Sequence, residues 1–240
     1  MCVTCGCGDT GTETLVIEER LLAKNDRVAA HVRDSLTSRG ITSLNLMSSP
    51  GSGKTSLLER TVAAFGGRRE VCVIEGDQET SFDADRIRRA GARAVQVNTG
   101  AGCHLDASMV HHALHELDPG PGSLLFVENV GNLVCPALFD IGERAKVVVI
   151  SVTEGDDKPL KYPHMFAAAD LVVVNKTDLL PYVDFDLGRL CEQAEQLHPG
   201  VQVLPVSVRT GAGMDDWYAW LDGMEQADDE RAPYGAAVGT

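Results

Sequence analysis

The chain has 240 residues, 44% of them hydrophobic and 23% charged, enough to bury one sizeable α/β domain without disulfide staples. A formal net charge of -14 sets it against nucleic-acid backbones and anionic lipid, and no apolar run reaches transmembrane length, so neither nucleic acid nor membrane is an expected partner. Its opening lacks the pattern of a signal peptide, which reads as cytoplasmic, and in that compartment seven cysteines stay reduced, so clustered ones point to metal.

Residues 1–14 are small, polar and cysteine-bearing, and form an expected metal-binding segment. Cys2, Cys5 and Cys7 place three thiolates within six residues, with glycines rather than apolar neighbours around them. Such thiolates converge on a borderline divalent ion, with the terminal amine or backbone as a fourth ligand. Thiolate beside deprotonated nitrogen favours square-planar nickel over tetrahedral zinc. A redox use of Cys2 and Cys5 is the rival reading, but the strand and helix that flank such a pair in thioredoxin-like proteins are missing.

Residues 15–225 read as one α/β domain with an N-terminal helix. Apolar residues recur at helical spacing from Leu15 to Ser38, and Gly40 is a plausible stop. Strand and helix then alternate. The expected strands are Ser43–Ser48, Val71–Glu75, Ala94–Val97, Leu124–Val127, Val147–Val152, Leu171–Val174 and Val201–Pro205, short apolar runs suited to a parallel sheet covered on both faces. The expected helices are Ser56–Phe65, Ala84–Ala90, Asp106–Leu117, Leu187–Leu197 and Asp215–Met224. Residues 226–240 are acidic and then Gly/Ala-rich, and read as a disordered tail.

Ser48–Thr55 reads Ser-Ser-Pro-Gly-Ser-Gly-Lys-Thr between a strand and a helix, the context a phosphate-binding loop needs. Gly51, Ser52 and Gly53 let successive N–H groups converge on phosphate oxygens, and the helix through Ser56 adds its positive end. Lys54 is placed for the β- and γ-phosphates and the Thr55 hydroxyl for Mg²⁺. Ser48 stands where the motif has glycine, a position that supplies mainly backbone. Asp77 and Glu128 follow strands whose carboxyl ends face the same crevice, so with Lys54 they are the candidate catalytic residues, and with Thr55 the candidate magnesium ligands. Gly131, three residues after Glu128, is placed to sense the γ-phosphate. The plainer reading of all three carboxylates, Glu75 above all, is a cap at a strand's exposed end.

Asn175, Lys176 and Asp178 follow a strand in the order of a guanine-binding motif. A carboxylate at Asp178 accepts from guanine N1–H and N2–H₂, which adenine cannot match, while Asn175 supports the base edge and Lys176 lays its stem along the base. Ser207 and Val208 follow the last strand, where a base-contacting loop is expected; a simple turn is the alternative for Ser207. Cys103, His104 and Cys135 lie on loops leaving strand ends on the nucleotide side. Isolated cysteines are usually small buried hydrophobes, but Cys135 follows Gly131 by four residues, so a nucleotide-driven shift would move its thiolate. His111 and His115 share one helical face and His112 does not, which reads as a solvated surface. Cys72 and Cys191 read as core.

Together these residues resemble the HypB family, the nickel-insertion GTPases of NiFe-hydrogenase maturation. The resemblance is carried by the Cys2–Cys7 segment, Ser48–Thr55, Glu75-Gly-Asp-Gln, Gly102-Cys-His-Leu-Asp, Glu128-Asn-Val-Gly-Asn-Leu-Val-Cys-Pro and Asn175–Asp178. It implies a dimerising P-loop GTPase that cycles between GTP and GDP with Mg²⁺. It also implies a high-affinity nickel site on Cys2, Cys5 and Cys7, and a weaker nickel or zinc site on Cys103, His104 and Cys135 at the interface of a homodimer promoted by nucleotide or metal. The implied partners are a small zinc-containing nickel metallochaperone of the HypA type and the hydrogenase large-subunit precursor. The alternatives are a regulatory or docking GTPase in which metal is only structural, and a metal-storage module. Storage is disfavoured because no histidine-rich stretch follows the N-terminus.

Overall fold

The computed structural model describes residues 10–77, 82–100 and 102–229. In chain order the elements are α1 (Thr10–Ser38), β1 (Thr42–Ser48), α2 (Lys54–Phe65), β2 (Val71–Asp77), α3 (Phe82–Ala90), β3 (Arg93–Asn98), α4 (Ala107–Leu117) and β4 (Leu124–Glu128). There follow α5 (Cys135–Leu138), β5 (Ala145–Ser151), α6 (Lys158–Lys161), α7 (Pro163–Ala167), β6 (Leu171–Asn175), α8 (Leu187–Leu197), β7 (Gln202–Pro205) and α9 (Met214–Asp229). Two 3₁₀ turns cover Val152–Glu154 and Thr177–Tyr182.

All seven expected strands form, and the differences lie at their ends. Val152 leaves the sheet because Ser151 and Glu154 make a capping box: Thr153 N–H donates to Ser151 Oγ and Ser151 N–H to Glu154 Oε1. Asp106 is the N-cap of α4 rather than its first turn, its carboxylate accepting from Met109 N–H at 2.8 Å. Helix α1 begins at Thr10, inside the expected metal-binding segment. Helix α9 runs to Asp229, into the expected tail, through the good helix formers Glu225, Gln226 and Ala227. The unexpected helices α5, α6 and α7 are four or five residues long with proline in the first turn, too short to leave a periodic signal.

The strands form one parallel sheet in the order β3-β2-β4-β1-β5-β6-β7. Strand β1 is central and wholly buried, with β4 on one side and β5 on the other. Alternate residues face opposite layers. Leu44, Leu46, Val73, Phe126 and Val147 meet α2 and α9 through Leu57, Phe65 and Trp217, whose indole N–H donates to Thr61 Oγ1 at 2.9 Å. On the other face Cys72, Ile74, Leu125 and Val127 pack with Val32 and Leu36 of α1 and Val110 and Ala113 of α4. Met47, Val148, Ile150 and Val172 pack with α7 and α8. Because the chain leaves β1 toward β2 and later crosses to β5, the sheet reverses its winding at β1, and the crevice above its carboxyl end is where such sheets take ligands. No helix among the described residues is long and apolar enough to cross a membrane.

Candidate functional site

The loop after β1 turns through two glycines in left-handed conformations, Gly51 at φ 77° and Gly53 at φ 101°. Gly53 has no tolerance for a side chain, since a Cβ there would lie 2.4 Å from Asn175 Nδ2. Lys54, buried in the first turn of α2, donates from Nζ to Ser48 Oγ at 2.6 Å. Ser48 is therefore more than backbone in this site: its hydroxyl parks the lysine, a role that the sequence expectation did not give it. The Ser49 hydroxyl donates to the Glu154 carboxylate and ties the loop to the end of β5. Above the loop lies an open cleft of about 700 Å³, lined in part by Gly51, Lys54, Thr55, Asp77 and Glu128.

Glu75 and Glu128 occupy paired positions on the adjacent strands β2 and β4, so both carboxylates leave the sheet side by side. Both residues are buried. This corrects the strand-end reading of Glu75, which is a wall of the cleft and not a surface cap. The Thr55 hydroxyl donates to Glu128 Oε1 at 2.8 Å. Glu75 Oε2 and Glu128 Oε2 are buried without a hydrogen-bond partner. Burial first, and then the neighbouring Glu128, push the Glu75 carboxyl up to about 11; burial raises Glu128 as well, against the opposing pull of Lys54. Two orphaned acidic oxygens beside a threonine hydroxyl make a donor set suited to a hard cation. Asp77 stands half-buried on the same cleft. Gly131 passes against the phosphate loop so closely that a Cβ would sit 3.0 Å from the Pro50 ring.

The base motif is strapped to the phosphate loop. Asn175 Nδ2 donates to the Ser52 carbonyl at 2.9 Å, and its Oδ1 accepts from Lys176 N–H at 2.7 Å and Val208 N–H at 3.2 Å. Both ends of that amide are thus engaged inside the protein, and Asn175 works as a strut between the loops. Lys176, itself left-handed at φ 63°, donates from Nζ to the Gly51 carbonyl at 2.6 Å. Ser207 Oγ donates to Asp178 Oδ1 at 2.7 Å, aiming the carboxylate, and Arg209 stands 3.9 Å from its other oxygen. Ser56 accepts from Arg86 at 3.2 Å, and Arg86, which also lines the cleft, pairs with Glu59 at 2.7 Å.

Cys103, His104 and Cys135 come together although 32 residues separate the two thiols. Their Sγ atoms lie 3.0 Å apart, His104 Nδ1 stands 3.7 Å from Cys103 Sγ, and all three ligand atoms fall within 4.8 Å of one another. His104 stacks on Phe139 at 4.0 Å between centroids, and burial lowers its pKa, which keeps the imidazole neutral for metal. The contact with Cys103 and then burial raise the Cys135 thiol. Cys103 also lines the nucleotide cleft. Buried Asn129, directly after Glu128, accepts from both Leu105 N–H and Val130 N–H at 3.0 Å, and its own amide donates to Asn45 Oδ1 at 3.2 Å. Asn132 donates to the Cys103 carbonyl at 3.2 Å and accepts from Val134 N–H at 2.8 Å. The segment that follows the cleft carboxylate is therefore hydrogen-bonded straight to the loop that carries Cys103 and His104, two of the three candidate metal ligands. Cys2, Cys5 and Cys7 lie outside the described residues. Cys72 is core, as expected, whereas Cys191 is only half-buried.

Three comparisons bear on this geometry. The family model for the CobW/HypB/UreG nucleotide-binding domain matches residues 42–205. The hydrogenase maturation factor HypB of Rhizobium leguminosarum is 60% identical over 206 residues, 86% of this chain and 69% of that one. The chain belongs to the HypB family. Among solved HypB structures, that from Archaeoglobus fulgidus is similar at a TM-score of 0.80 with 40% identity, covering 85% of this chain and 100% of that one. HypB from Helicobacter pylori, solved in complex with nickel, is similar at a TM-score of 0.79 with 38% identity, covering 90% of this chain and 100% of that one. Within this HypB-type P-loop fold, Glu75, Asn129 and the Ser48–Lys54 contact are the site features that motif reading does not supply. Glu75 shows its role only once strand register sets it beside Glu128, and Asn129 only once Leu105 and Asn45 are seen around it.

Proposed function

We propose that this chain hydrolyses GTP and uses the nucleotide cycle to control a nickel-binding cluster, in support of nickel insertion into the NiFe-hydrogenase large subunit. The observation that carries the reading is the junction at Asn129 and Asn132. The segment that reads the γ-phosphate side of the cleft is bonded to the Cys103–His104 loop and leads into Cys135 within a few residues. A shift of that segment changes the spacing of the thiolates. Only a difference in metal affinity between nucleotide states can do this work, and linkage makes the coupling reciprocal.

In this reading Gly51, Ser52 and Gly53 wrap the phosphates with backbone N–H groups, Lys54 leaves Ser48 for the β- and γ-phosphates, and Gly131 N–H senses the γ-phosphate. Asp178, aimed by Ser207, selects guanine. Thr55, Asp77 and Glu128 would hold magnesium, an assignment supported by the orphaned Glu128 oxygen beside the threonine hydroxyl. When bound, that ion supplies charge neutralisation at the β- and γ-phosphates. Nickel, or zinc in its place, is the cargo held by Cys103, His104 and Cys135, and Cys2, Cys5 and Cys7 form the high-affinity nickel site. Val134 and Leu138, each about half-exposed on either side of Cys135, suit burial against a second copy of the chain, so a homodimer forms across the metal site. A zinc-containing nickel metallochaperone of the HypA type and the large-subunit precursor are the partners, and the reaction takes place in the cytoplasm.

The nucleotide half of this proposal is tested by phosphate release from GTP and from ATP by the full chain. Slow GTP turnover with magnesium, none from ATP, and loss of turnover in Lys54→Ala are expected. Equal turnover of both nucleotides, or undiminished turnover in Lys54→Ala, overturns it.

A further inference from the structure

The histidines of α4 read from sequence as a solvated face, but the fold adds a partner to them. His31 projects from α1, whose Val32 and Leu36 pack against Val110, Ala113 and Leu117 of α4 in a buried seam. Above that seam the His31 and His111 rings lie 5.5 Å apart between centroids, and the His111 and His115 rings 4.7 Å apart. His111 stands between the other two, half-buried, while His31 and His115 are exposed.

Two imidazoles bound to one ion at the usual metal–nitrogen distance of about 2.0–2.1 Å hold their ring centroids roughly 4.5–5.2 Å apart. The His111–His115 separation of 4.7 Å falls inside that range, and the His31–His111 separation of 5.5 Å lies just beyond it. His111 and His115 are one helical turn apart on the same face, so both can reach one point outside the helix, and His31 approaches that point from a second helix fixed by the packing beneath. In the structure their ring nitrogens do not converge within 4.8 Å, as the ligand atoms of Cys103, His104 and Cys135 do, so binding requires the exposed rings of His31 and His115 to turn toward His111. His112, by contrast, is engaged with the Ser108 carbonyl at 2.7 Å.

We propose that His31, His111 and His115 form a third metal site, an all-imidazole site for one divalent ion of the nickel or zinc class. Imidazole nitrogen suits both ions, and the net charge of -14 on the chain favours cations at its surface. His111 lies five residues beyond the N-cap Asp106, about 7.5 Å along the helix at 1.5 Å per residue, so this site is distinct from the cysteine cluster that precedes α4. The site stands whether or not the nucleotide cycle moves nickel.

The test is metal stoichiometry of the full chain by equilibrium dialysis at micromolar free nickel, and separately zinc. His111→Gln should bind one equivalent fewer of the ion that the site takes, and His31→Gln should lose the same equivalent. His112→Gln should match the unsubstituted chain. The same one-equivalent difference should persist in a Cys103→Ser, Cys135→Ser background, with circular dichroism unchanged. Unaltered stoichiometry in His111→Gln for both metals overturns the site. So does a difference that disappears in the cysteine-substituted background, because the histidine would then act through the other cluster.

Discussion

In the proposed function, Asp178 is the residue on which nucleotide choice turns. Its carboxylate is held by the Ser207 hydroxyl at 2.7 Å, which leaves acceptor capacity for a base that offers two donors. Hydrogen bonds to a charged group are worth about 1.5–3 kcal/mol each, so removing the charge costs guanine roughly a hundredfold or more in affinity. Asp178→Asn should therefore weaken GTP binding by that factor and raise the affinity for xanthosine triphosphate, measured by competition with a fluorescent nucleotide. Unchanged selectivity would remove Asp178 from the base site. Gly53 and Asn175 were legible as motif members, but the Asn175 amide, 122 residues away in the chain, adds a steric bar to a Cβ at Gly53 beyond its left-handed backbone.

At the scale of elements, the junction between β4 and α5 connects the cleft to the thiols, and Asn129 is its pivot. Asn129→Ala leaves Leu105 N–H and Val130 N–H without their buried acceptor, and an unsatisfied buried donor costs about 1–3 kcal/mol. The unfolding free energy of the variant from urea titration should fall by roughly 2–6 kcal/mol. Its nickel affinity should respond less to nucleotide than that of the unsubstituted chain. A full nucleotide response would assign the coupling to another contact. The strands and the phosphate and base motifs were legible because short apolar runs and glycine-lysine turns are local signals. The pairing of Glu75 with Glu128, the Asn129 pivot and the short helices α5 to α7 were not. They depend on strand register, on long-range hydrogen bonds, and on elements too brief to show a period.

At the scale of the whole molecule, α1 is clamped to the segment after α5 by Arg33, which meets both oxygens of Asp140 at 2.5 and 2.7 Å, and by Asn25, which donates to the Asp140 carbonyl at 2.7 Å. Burial pushes the Asp140 carboxyl up, but the hydrogen bonds from Arg33 and Gly142 N–H outweigh it and hold the group below the ordinary aspartate range. A carboxylate with a lowered folded pKa contributes stability that is present above the unfolded value of about 3.9 and is lost as pH falls through the folded value. The pair is partly exposed, so after screening its worth is about 0.5–1 kcal/mol. Asp140→Asn should lower the unfolding free energy from urea titration at pH 7 by that amount, and the difference should shrink below about pH 4. A difference that grows toward low pH would contradict the ion-pair account. The clamp also bears on the metal sites, since α1 carries His31 and Asp140 follows Phe139, the residue on which His104 stacks.

The measurement that tests the central claim most directly is nickel titration of the full chain with Cys2, Cys5 and Cys7 replaced by Ala. It is made once with GDP and once with a non-hydrolysable GTP analogue, while oligomer mass is followed by light scattering. The coupled-site account predicts that nickel still binds, that Cys135→Ala weakens that binding, and that affinity or dimer fraction differs between the two nucleotides. Nickel binding that is indifferent to nucleotide in both affinity and oligomer mass would contradict it.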